Sequence, residues 1–133
     1  MISLKIVTPS KIFLETEVKQ IIVRGIEGDL AVMRGTQPII TPTKISNLKI
    51  TMADGVEKEA AISEGYLSVE PEITTLVVES AEWPEDIDII RAEEAKKRAE
   101  ERLFGKLEEE PDYIRAKTAL SRAINRIHLI KKD

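Results

Sequence analysis

The sequence changes character once, abruptly, just after Trp83-Pro84, and that break limits the fold more than any other feature. From Met1 to Pro84 the chain is a succession of short β-branched runs separated by turn residues; beyond it Ala, Glu, Lys and Arg dominate almost to the end. β-Branched side chains lose rotamer freedom in a helix and pack well on a pleated surface, whereas Ala and straight-chain residues are the strongest helix formers. Residues 1–84 are therefore expected to form a β-sandwich and residues 85–133 a helical unit, an α+β chain in two parts. A length of 133 residues suits a small domain plus such an appendage and is too short for two ordinary domains.

Nine runs in the first part are expected as strands: residues 2–7, 12–15, 18–24, 30–33, 38–40, 45–52, 56–62, 66–69 and 73–79. Asp54-Gly55, between Met52 and Val56, is the strongest hairpin signal, because glycine accepts the positive φ that a tight turn needs. Alternation places Leu48, Ile50 and Met52 on one face and Lys49 and Thr51 on the other, with Leu67 and Val69 opposed to Ser68 in the same way.

In the second part, Asp86 or Asp88 is placed to cap a helix running to about Phe104, and Gly105 breaks it. After the polar connector at 106–110, Pro111 fits the first turn of a second helix, where its missing N–H costs nothing. The two helices form an antiparallel hairpin. Helix two carries a seam at Tyr113, Ala116, Leu120, Ala123, Ile127 and Ile130; helix one carries a thinner stripe at Ile89, Ala92, Ala95, Ala99 and Leu103. Alanines allow close approach but bury little area, so this packing is expected to be weak by itself.

The formal charge is -4, with 8 basic and 12 acidic side chains in residues 1–84, 6 and 10 in residues 85–110, and 6 and 2 in residues 111–133. The acidic first helix attracts the basic second, and the second is equally suited to an acidic partner. Arg115, Arg122 and Arg126 share one of its faces, either a solvated face or a contact surface. An acidic balance with only 4% aromatic residues gives neither the basic patch nor the stacking platform of a nucleic-acid binder. With no cysteine and His128 as the single histidine, thiolate sites, histidine clusters and Ser-His nucleophiles are lacking, so no catalytic residue and no metal site is expected. The N-terminus alternates and carries Lys5 and Lys11, unlike a signal peptide or a membrane span.

Glu27–Pro38 (EGDLAVMRGTQP), Ser63–Glu70 (SEGYLSVE) and the Ile87-Asp88-x-x-Arg91-Ala92 motif, in this order and spacing, resemble the ε subunit of bacterial F-type ATP synthases over the whole chain. In the loop that usually reads Gly-Glu-x-Gly-x-x-x-x-His-x-Pro, Asp29, Ala31 and Thr36 depart from the pattern.

The resemblance implies a non-catalytic rotor subunit, peripheral at the cytoplasmic face of the bacterial inner membrane, with no insertion into the bilayer. Its sandwich is expected to dock on the γ subunit and the c-ring, with Asp29 either a turn former or a polar contact to the c-ring loops. Its hairpin is expected to alternate between compact and extended states. When extended it reaches the catalytic β and α subunits, where Arg115, Arg122 and Arg126 meet acidic β residues and hinder ATP hydrolysis. No cofactor is required. ATP is implied as a regulatory ligand of the compact state, held by Glu82, Asp88, Arg91, Ala92, Arg98, Arg122 and Arg126, the arginines supplying charge-assisted donors to phosphate oxygens. The competing readings are that Asp88 is a helix cap alone, that Trp83 packs on the sandwich, and that His128 is a solvated helix residue. A free-standing adaptor or chaperone-like module, using the hairpin as a coiled coil, is the alternative function; co-purification with γ separates it from the rotor subunit.

Overall fold

A computed structural model describes residues 1–131. It divides into two compact units, Met1–Trp83 and Pro84 onward, within one residue of the compositional break; Lys132 and Asp133, the end of the expected helical unit, lie outside the described residues.

The first unit is built from nine strands: β1 (Ile2–Val7), β2 (Ile12–Gly25), β3 (Gly28–Met33), β4 (Ile39–Thr43), β5 (Ser46–Met52), β6 (Glu57–Ile62), β7 (Gly65–Val69), β8 (Thr74–Val78) and β9 (Ala81–Glu82). They follow the order β1-β8-β7-β4-β2-β5-β6-β9, with β3 on β2 and a further β1–β2 pairing. All pairings are antiparallel except β1 with β8.

β2 is the most widely paired strand, bonded to β1, β3, β4 and β5. Two separate runs were expected here because Glu15-Thr16-Glu17 interrupts the apolar pattern, but the strand is continuous over 14 residues. The polar side chains face water while the backbone ladder carries on: Glu15, Thr16 and Glu17 pair with Lys5, Leu4 and Ser3 of β1. Farther along, Gln20–Gly25 pairs with β3 and Val18–Ile22 with β5, across an irregularity between Val18 and Gln20. β9 was not expected at all. Two residues are too few for a sequence signature, and it exists because Ala81 and Glu82 find Ile62 and Ala61 of β6.

The core is aliphatic, as a chain poor in aromatics requires: Leu4, Ile6, Ile21, Leu48, Ile50, Leu67 and Leu76 are all at most 1% exposed. Leu48 and Ile50 point inward and Lys49 outward, as the alternation predicts. The β5–β6 hairpin turns at Asp54-Gly55. Gly55 has φ +90°, and the Val56 N–H donates to the Asp54 carboxylate at 2.9 Å.

The SEGYLSVE segment has a structural role at the β6–β7 corner. Ser63 is 2% exposed; its hydroxyl accepts from the Ser80 N–H at 2.7 Å and donates to the Ser80 carbonyl at 3.3 Å. Two residues on, a Cβ at Gly65 would fall 1.9 Å from the Val77 carbonyl oxygen, so only glycine lets β7 approach β8 this closely.

In the second unit, a single 3-10 turn (Pro84–Asp86) precedes α1 (Ile89–Leu103) and α2 (Pro111–Lys131). Asp88 is the cap: its carboxylate accepts from the N–H groups of Ile90 (3.0 Å) and Arg91 (3.2 Å). α1 stops at Leu103, and Gly105 takes φ +74° in the turn that follows. The helices are antiparallel. Lys131 near the end of α2 reaches Glu93 near the start of α1 at 2.8 Å, and at the turn Lys106 lies 3.9 Å from Asp112. The buried side chains are Ala92 and Ala99 of α1 and Ala116, Ala123 and Leu129 of α2. The expected stripes supply the four alanines; Leu129 lies off the expected seam, about 100° around the helix from Ile130.

Candidate functional site

Four arginines of the expected nucleotide set stand on the hairpin. Arg91 and Arg98 project from α1 seven residues apart, both exposed, and neither forms an ion pair among the described residues. Arg122 and Arg126 lie one turn apart on α2 and are half-buried. Asp88 spends one carboxylate oxygen on two backbone N–H groups, so its capping role is established by geometry. Ala92 is 4% exposed, buried in the hairpin. It admits close approach of the helices and offers a ligand at most its backbone. Glu82 belongs to the first unit, half-buried in β9 opposite Ala61. The seven residues are thus split, six on the hairpin and one on the sandwich.

The second expected set, Arg115, Arg122 and Arg126, does occupy one helical face, but not uniformly. Arg115 is exposed and lies 3.6 Å from Asp112, whereas Arg122 and Arg126 are half-buried. A fully solvated face does not describe them. His128 is exposed in the last turn, as expected.

Asp29 sits at the β2–β3 turn, directly opposite Arg24, whose Nε donates to its carboxylate at 3.2 Å. Both side chains are more than half exposed, so the pair leaves the acidic group accessible. Gly28 beside it has φ +125°, which explains the glycine at this turn. Farther along the same segment, Thr36, where the family pattern has histidine, accepts the Met33 N–H at 3.0 Å and closes a turn containing Gly35 at φ +91°.

Sequence reasoning missed a surface of the sandwich that only the strand register reveals. Pro42 pairs with Tyr66, Tyr66 with Val77, Val77 with Val7 and Val7 with Ile12, an apolar row across five strands on the outer face. Tyr66 is 48% and Ile12 51% exposed, and Ile40, in the adjacent row, 76%. Each residue lies in a different run, so no local pattern could have joined them.

Among the described residues there is no group of three or more His, Cys, Asp or Glu side chains placed to hold a metal. No helix of the described residues is long and apolar enough to cross a membrane.

The two-part architecture matches known proteins over both of its units. Residues 1–84 match the model of the ATP synthase delta/epsilon chain β-sandwich domain, and residues 85–131 that of its long α-helix domain. The chain is 52% identical over 100 residues to the ATP synthase epsilon chain of Alkaliphilus oremlandii, covering 75% of this chain and 74% of that one. It is 46% identical over 128 residues to the epsilon chain of Alkaliphilus metalliredigens, covering 96% and 94%. A chain of the Euglena gracilis mitochondrial ATP synthase, solved with OSCP, F1 and c-ring, shares the fold with a TM-score of 0.80 at 21% identity, over 93% of this chain and 78% of that one. The chain belongs to the epsilon chain family of ATP synthase, whose members are non-catalytic subunits of that enzyme.

Proposed function

We propose that the chain is a central-stalk rotor subunit whose sandwich docks on γ and the c-ring, and whose hairpin restrains ATP hydrolysis by extending toward the catalytic β and α subunits. The observation that carries the reading is the contrast between a sandwich sealed by large aliphatic side chains and a hairpin sealed mostly by alanines. A helix pair that buries little can come apart without unfolding what it is attached to. The exposed row through Tyr66 and Ile12 supports a docked sandwich, because contiguous apolar surface on a soluble domain is normally covered by a partner. The accessible Asp29, with its neighbour Arg24, is the polar contact assigned to the c-ring loops. The solved relative from Euglena gracilis comes from an F1/c-ring assembly, in agreement with that placement.

Restraint of hydrolysis is assigned to Arg115, Arg122 and Arg126 against acidic β residues. Regulation is assigned to ATP, bound in the compact state by Arg91, Arg98, Arg122 and Arg126 with Glu82, Asp88 and Ala92. A ligand that binds one state alone stabilises it by about 2.7 kcal/mol at a hundredfold excess over its Kd, enough to bias a gap of a few kcal/mol. The subunit then works at the peripheral, cytoplasmic side of the bacterial inner membrane.

Reconstituted ATP synthase tests this reading. Removing residues 85–133 should leave assembly intact and raise hydrolysis; replacing the three arginines by alanine should raise it as well, and added salt should weaken the wild-type restraint. Hydrolysis unchanged by both alterations would overturn the inhibitory role. Calorimetry with millimolar ATP on the isolated subunit, wild type against Arg91→Ala and Arg126→Ala, tests the nucleotide site.

A further inference from the structure

The last residue of the sandwich unit is Trp83, and it is held by side chains rather than by the ladder. Its ring stacks on Phe13 with centroids 4.6 Å apart and 29° between the planes. Lys58 of β6 lies over Trp83, 5.5 Å from its centroid, and Lys11 over Phe13 at 5.9 Å. Both rings pack against the edge of the aliphatic core. Three segments far apart in sequence, the start of β2, the start of β6 and the end of β9, therefore converge on one indole. Stacked aromatics and cation–π contacts each add to what buried area supplies.

Immediately beyond, the restraints are of another kind. Pro84 fixes its own φ and holds Trp83 in an extended conformation. The Ile87 N–H donates to the Pro84 carbonyl at 3.2 Å, closing the 3-10 turn, and this turn lies against α2 within the hairpin unit. The next firm anchor is the Asp88 cap. If α2 moves away, the turn loses its support, whereas the Phe13 stack and the Lys58 contact on Trp83 both lie within the sandwich.

We infer that Phe13 and Trp83 form a clamp fixing the sandwich end of the connection, so that movement of the hairpin is confined to the four residues Pro84–Ile87. The clamp stands on the stacking geometry; the pivot rests on the reading of the hairpin as a mobile element. Glu82 then belongs to the fixed side, and Asp88 and Arg91 to the moving side.

Amide hydrogen exchange on the full chain tests the clamp. In the wild type, Ala81 and Glu82 should exchange as slowly as Ile62 and Ala61, their partners on β6, and Glu85–Ile87 at least tenfold faster. Phe13→Ala should speed exchange of residues 81–83 at least tenfold, shift Trp83 emission to the red and leave the Ser80 amide protected by Ser63; Phe13→Tyr, which keeps the ring, should match the wild type. Should Phe13→Ala fail to fold, Lys58→Gln replaces it, with at least a twofold faster exchange expected. Residues 81–83 exchanging as fast as 85–87 in the wild type, or a protection unaltered by these variants, would overturn the clamp.

For the pivot, the cross-strand partners Ile62 and Ala81 can be changed to cysteines in a chain that has none of its own. Paired positions in an antiparallel ladder lie within disulfide range. In reconstituted ATP synthase, oxidation should lock β9 to β6 and leave hairpin-dependent restraint of hydrolysis as it was; loss of that restraint on oxidation alone would place the pivot upstream and refute the inference. Should hydrolysis be independent of the hairpin even in the reduced enzyme, the proposed function fails and the pivot with it, and the clamp is judged by exchange.

Discussion

The two units of this chain are stabilised on different scales. In the sandwich, Leu and Ile side chains such as Leu4, Ile6, Leu48 and Leu76 lie at 0–1% exposure, each worth about 1.5–3 kcal/mol on burial. Among the described residues of the hairpin, four of the five buried side chains are alanine, and each methyl contributes only about 0.8 kcal/mol. Equal burial on paper is thus unequal in energy. The difference teaches that one chain can carry a rigid body and a detachable one without a long linker, simply by choosing what fills the space between elements.

The sharpest way to break this comparison is Gly65→Ala. A Cβ there would lie 1.9 Å from the Val77 carbonyl oxygen, a backbone clash that rotamer changes cannot relieve. The expected loss is at least about 3 kcal/mol, read as a large fall in the urea midpoint of the β signal. A wild-type midpoint would show that the β7–β8 approach is slack. Leu67→Ala comes next: a side chain at 0% exposure should cost about 2–5 kcal/mol of sandwich stability. Helical ellipticity that falls in step with the β signal in this variant would mean the units unfold as one.

On the hairpin side, Asp88→Ala removes two cap hydrogen bonds and should cost the helical unit about 1 kcal/mol, with the sandwich untouched. Amide exchange at Ile90 and Arg91 is the direct measurement, and an unchanged rate there would remove the cap from the account. The smallest effect belongs to Lys131→Ala. Its ion pair with Glu93 is short, but both side chains are more than half exposed, so about 0–1 kcal/mol is at stake, screened further by salt. A loss well above that range would make this contact a principal latch of the hairpin.

The same division governs what could be read from the sequence. The boundary near residue 84, the Asp88 cap, the break at Gly105 and the Asp54-Gly55 turn were legible because each is decided by neighbours in the chain. The continuity of β2 through Glu15-Thr16-Glu17 was not, because what sustains it is β1 on the far side of a turn. Leu129 escaped the heptad, and Phe13 gave no sign that it would meet Trp83. For the candidate site, the sequence presented the charges and their spacing. It could not tell that Asp29 faces Arg24, that Asp88 is already engaged, or that an apolar row runs from Pro42 to Ile12.

β2 has a mechanical consequence. Its 14 residues, about 45 Å long at roughly 3.3 Å per residue, are bonded in turn to β1, β5, β3 and β4. A pull along that strand loads its ladders in shear, so many hydrogen bonds must yield together, whereas a pull across a short edge strand would peel them one by one. β2 is thus the beam of this domain, and a force entering at its β3 end, beside Asp29, is carried in parallel to the β1 end, beside Phe13, before any single contact gives way.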